Sequence, residues 1–286
     1  MDFESRQFIG AESEFDEADI VLFGAPYDST TSFRPGTRFG PSAIRNESFG
    51  IETYSPYQDK DLCDIKLCDM GNLELPFGSP ERPLEMIEEC AEHILTAGKT
   101  PIMLGGEHLV TLGAFRAAAK KYDDLYLIQF DAHTDLREDY LGNPLSHACV
   151  VRRIHDIIGD GKIYQFGIRS GEKYEFEFAK AHNHIYPTTV EGVRFDSIPE
   201  AAAELRGKDV YLTIDLDVLD PAYFPGTGTP EAGGCTFNQL LTAIIELGRL
   251  NIVAADINEL SPHYDHSGIS TAIACKILRE LILALK

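Results

Sequence analysis

The chain has 286 residues, 44% of them apolar, and its 46 acidic and 25 basic residues give a formal net charge of −21. This length is sufficient for one substantial buried core, and the negative charge argues against nucleic acid or an anionic membrane as a partner. An acidic surface favours cationic substrates and metal ions instead.

The sequence lacks the patterns of secreted and membrane proteins. Residues 1–6 have no basic segment followed by an apolar run, so no signal peptide is expected, and no apolar stretch approaches transmembrane length. The six cysteines are scattered without a CxxC pair, which predicts reduced thiols in a cytoplasmic protein. Because we find no linker, low-complexity run or internal repeat, we expect one domain over residues 1–286.

Hydrophobic periodicity predicts strands and helices that alternate along the chain. In chain order these are a strand at residues 18–23, a helix at 41–46, a strand at 65–70, a helix at 83–97, a strand at 100–104, a helix at 109–121, a strand at 125–130, a helix at 148–158, a strand at 162–168, a helix at 171–181, an extended segment at 185–187, a helix at 198–205, a strand at 210–214, a helix at 237–250, a strand at 252–257 and a helix at 269–285. Ser146 is the expected N-cap of the helix at 148–158. The alternation is typical of βαβ crossovers and predicts an α/β fold, with a mainly parallel sheet and helices on both faces.

The strand at residues 125–130 ends in three potential metal ligands at alternate positions, Asp131, His133 and Asp135. Side chains two apart on an extended backbone point the same way, so Asp131 and His133 share a face, and Asp135 joins them if the chain turns. Alone, this pattern also fits a polar loop after a strand. A divalent ion would offset the repulsion between two buried acids.

A second strand, at residues 210–214, ends in the same manner in Asp215 and Asp217. Two strands that each finish in alternating acids offer four carboxylates and one imidazole, enough for two cations that share bridging carboxylates. Oxygen-rich sites with imidazoles suit Mn²⁺ better than structural zinc, which prefers thiolates. The two strand ends therefore predict a cation site with enough ligands for two ions.

Three further residues lie where ligands bind in parallel sheets, beyond or close to the carboxyl ends of strands. His108 follows a Gly-Gly turn; alone it would be a helix-start histidine, but beside two acid-bearing strands it becomes a candidate ligand. His147 follows the metal triplet and is either a loop histidine without a role or a proton carrier, since its pKa lies near neutrality. Glu259 ends the strand at 252–257 and offers an acceptor for a cationic substrate group.

Other candidates have plainer interpretations. Asp220 precedes a proline and is interpreted as a turn residue, and His155 falls inside a predicted helix and is interpreted as structural. Arg34 and Arg38 flank a glycine-containing loop, where they would shape a subunit contact or the pocket mouth, or face water.

Taken together, these motifs resemble the ureohydrolase family, which includes arginases and agmatinases. The resemblance covers nearly the whole chain, and the loop at residues 33–41 is similar to that of the agmatinase branch. The matching segments are residues 105–108 (GGEH), 131–135 (DAHTD), 146–147 (SH), 215–221 (DLDVLDP), 225–231 (PGTGTPE) and 259–262 (ELSP).

The resemblance implies a three-layer αβα fold and a binuclear manganese site. One ion would be held by His108, Asp131, Asp135 and Asp215, and the other by His133, Asp131, Asp215 and Asp217, with Asp131 and Asp215 bridging. A hydroxide held between the ions would attack the guanidinium carbon. Asp135 would relay a proton, His147 would exchange protons with solvent and the leaving amine, and Glu259 would orient the guanidinium group.

The resemblance also implies a small cationic guanidino substrate and a homo-oligomer, a trimer or a hexamer. In the loop at 137–144, Glu138 and Asp139 suit the ammonium tail of agmatine, so we expect hydrolysis of agmatine to putrescine and urea. Arg137 suits a carboxylate, which keeps guanidinobutyrate, guanidinopropionate and arginine as alternatives. Two other classes are a single-zinc deacetylase, which would need a His-His pair, and a non-catalytic relative, which would have lost a ligand or His147.

Overall fold

A central sheet of eight strands, all parallel, forms the core of the described chain in this computed structural model, which describes residues 7–186 and 188–286. Its strands are β1 (Ile20–Ala25), β4 (Leu67–Asn72), β5 (Thr100–Gly105), β6 (Leu125–Phe130), β7 (Ile163–Phe166), β8 (His184–Tyr186), β9 (Asp209–Asp215) and β10 (Asn251–Asn258), and a separate antiparallel pair consists of β2 (Tyr54–Ser55) and β3 (Lys60–Asp61). The order across the sheet is β4-β1-β5-β10-β9-β6-β7-β8. The predicted parallel sheet is confirmed.

Eight α-helices connect the strands in the part of the chain that the structure describes. They are α1 (Gly40–Glu47), α2 (Glu81–Thr96), α3 (Thr111–Lys121), α4 (Val150–Ile158), α5 (Lys173–His182), α6 (Ile198–Glu204), α7 (Phe237–Leu247) and α8 (Ile269–Ala284). Each predicted helix is present, with ends that differ by a few residues. The extended segment predicted at 185–187 falls in β8, except that Pro187 lies outside the described residues, as does the segment 1–6.

Two apolar clusters lie on opposite faces of the sheet because side chains alternate along each strand. Ile20 and Leu22 of β1 belong to the cluster that contains residues of α1, α6, α7 and α8, whereas Val21 and Phe23 belong to the cluster that contains residues of α2, α3, α4 and α5. Helices therefore cover both faces, and the expected three-layer αβα arrangement is confirmed.

Short 3₁₀ turns precede α3 and α4, at His108–Val110 and His147–Cys149. Ser146 occupies the predicted N-cap position, at the 3₁₀ turn that leads into α4, but its buried hydroxyl makes no capping hydrogen bond to a described residue. Instead the backbone N–H of His147 donates to Thr30 Oγ1 at 3.0 Å. A contact between distant loops thus replaces the local cap.

The order of the sheet explains why the polar motifs meet. The four strands that precede the candidate residues, β5, β10, β9 and β6, are consecutive neighbours in the middle of the sheet. Since parallel strands all end at one edge, their following residues converge there. Across the described residues, no helix has the length and apolar character that a bilayer-spanning segment would need.

Candidate metal centre and substrate cleft

Six acidic and histidine side chains converge at the carboxyl edge of β5, β6 and β9. His108 Nδ1 lies 2.9 Å from Asp131 Oδ2, 3.0 Å from Asp135 Oδ2 and 3.4 Å from Asp215 Oδ2. On the other side, His133 Nδ1 lies 3.0 Å from Asp217 Oδ2 and 3.5 Å from Asp131 Oδ1. The structure thus brings all six sequence-predicted metal ligands together, and Asp131 presents one oxygen to each imidazole.

The hydrogen bond at Nε2 of His108 leaves Nδ1 of the neutral ring without a proton. Its Nε2 lies 2.8 Å from Thr213 Oγ1, and that hydroxyl donates to Asp256 Oδ1 at 2.6 Å, so Nε2–H is the donor to Thr213. In the neutral ring Nδ1 therefore carries no proton; it is buried, faces three carboxylates and makes no hydrogen bond to any described residue. A metal ion is the partner that suits such a nitrogen among acids, because neutral imidazole and carboxylate oxygens are both metal ligands.

The second group of ligands is held by backbone and amide donors. The backbone N–H of Ala132 donates to Asp217 Oδ1 at 3.0 Å, which leaves Oδ2 for His133. Gln129 donates through Nε2 to Asp131 Oδ2 at 2.7 Å, and the backbone N–H of Asp217 donates to Asp215 Oδ1 at 2.9 Å. Such supporting bonds fix each carboxylate before any ion arrives.

The electrostatics of the cluster demand a cation. Burial and the neighbouring Asp131 carboxylate raise the pKa of Asp135 to about 6. Burial and the charges of Asp217 and Asp131 raise the pKa of Asp215 well above its ordinary value. Divalent ions reverse such shifts by stabilising the ionised carboxylates. The residues present therefore fit the binuclear site.

A turn after the first metal strand brings Asp135 back to the cluster. Asp135 has φ 52°, a left-handed conformation that is uncommon for a residue with a side chain. Glu175 supports this turn, because its Oε1 accepts hydrogen bonds from Thr134 Oγ1 at 2.7 Å and from the backbone N–H of Leu136 at 3.1 Å. The turn that was required to bring Asp135 to the other ligands is present, whereas no sequence pattern indicated Glu175 as its support.

The remaining two predicted site residues lie next to each other. His147 Nδ1 is 3.7 Å from Glu259 Oε1, and Glu259 is itself fixed by the backbone N–H of His108 at 2.7 Å. On the other side of the ring, His147 Nε2 accepts from the backbone N–H of Ser32 at 3.1 Å. Burial lowers the pKa of His147, but its contact with Glu259 outweighs burial and raises it. The imidazole is thus held beside an acid that favours its protonated form.

Glu107 is a functional residue that the sequence analysis did not single out, although it lies in the GGEH segment. It is fully buried, and its carboxylate accepts hydrogen bonds from Thr30 Oγ1 at 2.6 Å, from the backbone N–H of Thr30 at 2.9 Å and from Thr31 Oγ1 at 3.1 Å. Burial raises its pKa to about 7. Glu107 therefore anchors residues 30 and 31, and the next residue of this loop, Ser32, contacts His147.

Arg169 is a second supporting residue that no local pattern indicates. Its guanidinium donates to the carbonyl oxygens of Asp217 at 2.7 Å and Glu231 at 2.8 Å. Arginine suits this task because its planar fork carries five donors. It joins the second metal strand to the long loop that follows.

A cleft of about 380 Å³ opens onto the metal centre. Its lining is mostly polar and includes Ser32, His133, Thr134, Asp135, Arg137, Tyr140, His147, Ser170, Glu172, Glu175, Asp215 and Thr229. Arg137 Nη2 lies 3.4 Å from Glu172 Oε1, its Nε lies 3.7 Å from Glu175 Oε2, and its guanidinium lies over the ring of Tyr140 at 5.4 Å. Two carboxylates thus offset the charge of the arginine at the cleft wall.

The other sequence candidates occupy separate places. Asp220 forms the predicted turn, accepting from the backbone N–H groups of Ala222 at 2.9 Å and Gly233 at 2.7 Å. His155 lies in α4, as predicted. Arg38 is paired with Asp28 at 2.5 Å and Arg34 lies over Tyr264 at 4.9 Å, so both pack locally.

Known proteins resemble this chain over nearly its whole length. The model of the arginase family matches residues 18–284. The agmatinase of Bacillus subtilis (strain 168) is 49% identical over 284 residues, which cover 98% of this chain and 97% of that protein. A Clostridium difficile protein to which agmatinase activity has been attributed has a crystal structure with a TM-score of 0.91 at 50% identity, covering 95% of this chain and 98% of that one. The agmatine ureohydrolase of Thermoplasma volcanium gives a TM-score of 0.88 at 35% identity, covering 99% and 94%.

Proposed function

The chain belongs to the arginase family, and on that premise we propose that it is a manganese-dependent agmatinase, which hydrolyses agmatine to putrescine and urea. The observation that carries the proposal is the buried His108 Nδ1, which faces Asp131, Asp135 and Asp215 without a hydrogen-bond partner among the described residues. This nitrogen and the surrounding carboxylates form a donor set for hard or borderline divalent ions.

Two Mn²⁺ ions are assigned to the cluster. His108, Asp131, Asp135 and Asp215 would hold one ion, and His133, Asp131, Asp215 and Asp217 would hold the other. The ligand set is rich in carboxylate oxygen and contains no thiolate, which favours manganese over structural zinc. When bound, two such ions supply the positive charge that makes water acidic enough to act as a nucleophile near neutral pH.

The side chains around the metal centre bind and orient the substrate. Glu259 is buried, with one oxygen fixed by the His108 amide, so its carboxylate is pre-oriented for a guanidinium group. A fixed orientation matters because the guanidinium carbon is a poor electrophile, and alignment contributes a large part of the rate in such reactions. Asp135 accepts the proton that water loses.

His147 supplies the proton that the leaving amine needs. It lies on the cleft wall, and Glu259 stabilises its protonated form. A histidine held in this way can donate to the departing nitrogen and regain a proton from solvent. Ser32 fixes the ring orientation through both its backbone N–H and its hydroxyl, at 3.1 Å and 2.9 Å.

The cleft wall favours a cationic tail on the substrate. Glu172 lines the cleft with an exposed side chain, and Arg137 is already paired with Glu172 and Glu175. A primary ammonium group can displace the 3.4 Å Arg137–Glu172 contact and bind Glu172 directly. A second candidate substrate is a guanidino acid, because Arg137 lines the same cleft and would meet a carboxylate if it left its partners.

The wider context is part of the same proposal. We place the protein in the cytoplasm, as a single catalytic domain that assembles into a homo-oligomer, a trimer or a hexamer. Phe33 and Phe77 are 69% and 77% exposed, and aromatic residues are enriched at subunit interfaces. The mass of the purified assembly, measured by light scattering, tests the oligomer, and a monomer would contradict it.

The substrate is tested by urea release from the manganese-loaded protein. Agmatine, arginine, guanidinobutyrate and guanidinopropionate are offered separately, and we expect urea from agmatine. The Glu172→Gln variant should raise KM for agmatine with little change in kcat, whereas Glu177→Gln, in the helix that follows Glu172 and 3.5 Å from Lys173, serves as the control. Release from a guanidino acid alone would favour the second candidate, and no urea with two ions bound would overturn the function.

A further inference from the structure

A second cluster of metal-binding side chains lies where α4 and α5 end. His155 is in the last turn of α4, His182 is the last residue of α5, and Asp160 lies in the loop that follows α4. Asp160 Oδ1 is 2.8 Å from His155 Nε2 and 2.9 Å from His182 Nδ1. The three ligand atoms all lie within 4.8 Å of one another.

From this geometry we propose that His155, Asp160 and His182 form a binding site for a divalent transition-metal ion, separate from the catalytic centre. The spacing repeats that of the main cluster, where His108 Nδ1 lies 2.9 Å from Asp131 Oδ2. Two nitrogens on one Zn²⁺ at about 2.0–2.1 Å lie roughly 3 to 4 Å apart, so small side-chain rotations would admit an ion.

The position of Asp160 calls for a cation. Two helices direct their carboxyl ends, which carry partial negative charge, toward this loop, and a carboxylate is disfavoured at such an end unless a positive charge accompanies it. Both imidazoles come from these last turns. A divalent ion satisfies the carboxylate and both helix ends together. Two protonated imidazoles are the competing explanation, and the experiment separates them.

The ligands are held by packing that is independent of any ion. The ring of Phe178 lies against both imidazoles, with centroids 4.8 Å from His155 and 4.4 Å from His182. The loop is fixed by the backbone N–H of Gly161, which donates to the carbonyl oxygen of His182 at 2.7 Å. Pre-oriented ligands lower the entropy cost of binding an ion.

The site is remote from the substrate cleft by topology. α4 and α5 begin near the carboxyl edge of the sheet and end just before β7 and β8, so their last turns lie at the amino edge. Two imidazoles and one carboxylate suit Zn²⁺, with water completing the coordination. The Asp160 side chain is 67% exposed, which predicts an exchangeable ion.

The test is a zinc titration of the manganese-loaded protein, in buffer that keeps free Mn²⁺ in excess, with both metals counted by mass spectrometry after equilibrium dialysis. We expect about one Zn²⁺ per chain with no loss of manganese. The His155→Asn and His182→Asn variants should bind zinc at least roughly tenfold more weakly, since loss of even a supporting residue has that effect. The melting temperature should rise with zinc in the unchanged protein and not in the variants.

The matched control is His93→Asn, which removes another last-turn histidine, one that stacks on Phe15 at 4.9 Å. It should bind zinc as the unchanged protein does. Circular dichroism confirms that each variant is folded, and Asp160→Ala, at an exposed position, provides a second test. The proposal would be overturned if zinc bound only by displacing manganese, or if all variants bound zinc equally. Either result would leave the pair of protonated imidazoles as the explanation.

Discussion

At the scale of single residues, Thr213 decides which nitrogen of His108 faces the metal centre. Its hydroxyl accepts a hydrogen bond from His108 Nε2–H at 2.8 Å and donates one to Asp256 Oδ1 at 2.6 Å. Removing the hydroxyl leaves the buried His108 Nε2 without its partner and frees the ring to change tautomer, whereas Asp256 keeps its hydrogen bonds from Tyr211 and Asn258. The metal site therefore depends on a residue that binds no metal.

Thr213→Val should lower the affinity for Mn²⁺ by about 10–100-fold, the usual effect of losing such a supporting bond. The measurement is a manganese titration followed by calorimetry, with the fold checked by circular dichroism. Thr242→Val, which removes an exposed hydroxyl bonded to the carbonyl of Asn238, is the control and should bind manganese normally. Unchanged affinity in Thr213→Val would show that the tautomer is fixed in some other way.

The side chain of His147 contacts Ser32 and Glu259, neither of which is a predicted metal ligand, so its proposed role is proton transfer. Replacing it by alanine should lower kcat for agmatine by a factor on the order of 10²–10⁴, the usual contribution of a general acid. The manganese content should stay the same, and added imidazole should restore part of the activity. A normal kcat in His147→Ala, or a parallel loss of manganese, would contradict its assignment as the proton donor.

At the scale of elements, the end of each strand and the start of each helix carry the function, and both need local stabilisation. α8, which covers one face of the sheet, begins after a loop that Asp265 closes. Asp265 Oδ2 accepts from the backbone N–H of Ser270 at 2.7 Å, and Oδ1 accepts from the backbone N–H of Ser267 at 3.0 Å. Burial raises the pKa of Asp265, but hydrogen bonds from the hydroxyls of Ser267 and Ser270, together with these backbone bonds, outweigh burial and lower the pKa to about 2.

Asp265→Asn should therefore lower the free energy of unfolding by about 1 kcal/mol near neutral pH. The folded pKa lies below the unfolded value, so this stabilisation is complete above about pH 4 and is lost as pH falls toward 2. Denaturant unfolding at pH 6 and pH 3 measures the difference, with Asp123→Asn on an exposed turn as control. A difference between protein and variant that is as large at pH 3 as at pH 6 would contradict the assignment.

The elements show what sequence can and cannot predict. Strands such as β6 and β9 were predictable because their apolar runs and alternating acids are local patterns. The start of α4 was not, since the Ser146 cap expected from local preference gave way to the bond between His147 and Thr30. A contact between residues 117 positions apart cannot be inferred from the sequence of either segment alone.

At the scale of the whole molecule, the same division holds for the candidate site. The convergence of the six proposed metal ligands was predictable because each lies at or shortly after the end of a strand, and parallel strands end at one edge. The supports were not, because Glu107 meets Thr30 across 77 residues and Arg169 meets Glu231 across 62. The cluster of His155, Asp160 and His182 also depends on two helices ending side by side, whereas sequence alone indicated only a structural His155.

The fold also explains how acidic residues can be concentrated at one edge of the sheet without destabilising the protein. The buried core on both faces fixes the strands, and the carboxylates at their ends are offset by hydrogen bonds and, we propose, by two ions. A chain with a net charge of −21 also attracts cations toward this edge. The function therefore follows from the order of the strands together with the residues at their ends.

The measurement that tests this account most directly is urea release from agmatine as manganese is added back to metal-free protein, with the bound metal counted at each step. We expect activity to rise to a plateau at two Mn²⁺ ions per chain, because Asp131 presents one oxygen to each of two imidazole groups. A plateau at one ion, or no urea with two ions bound, would contradict a binuclear agmatinase.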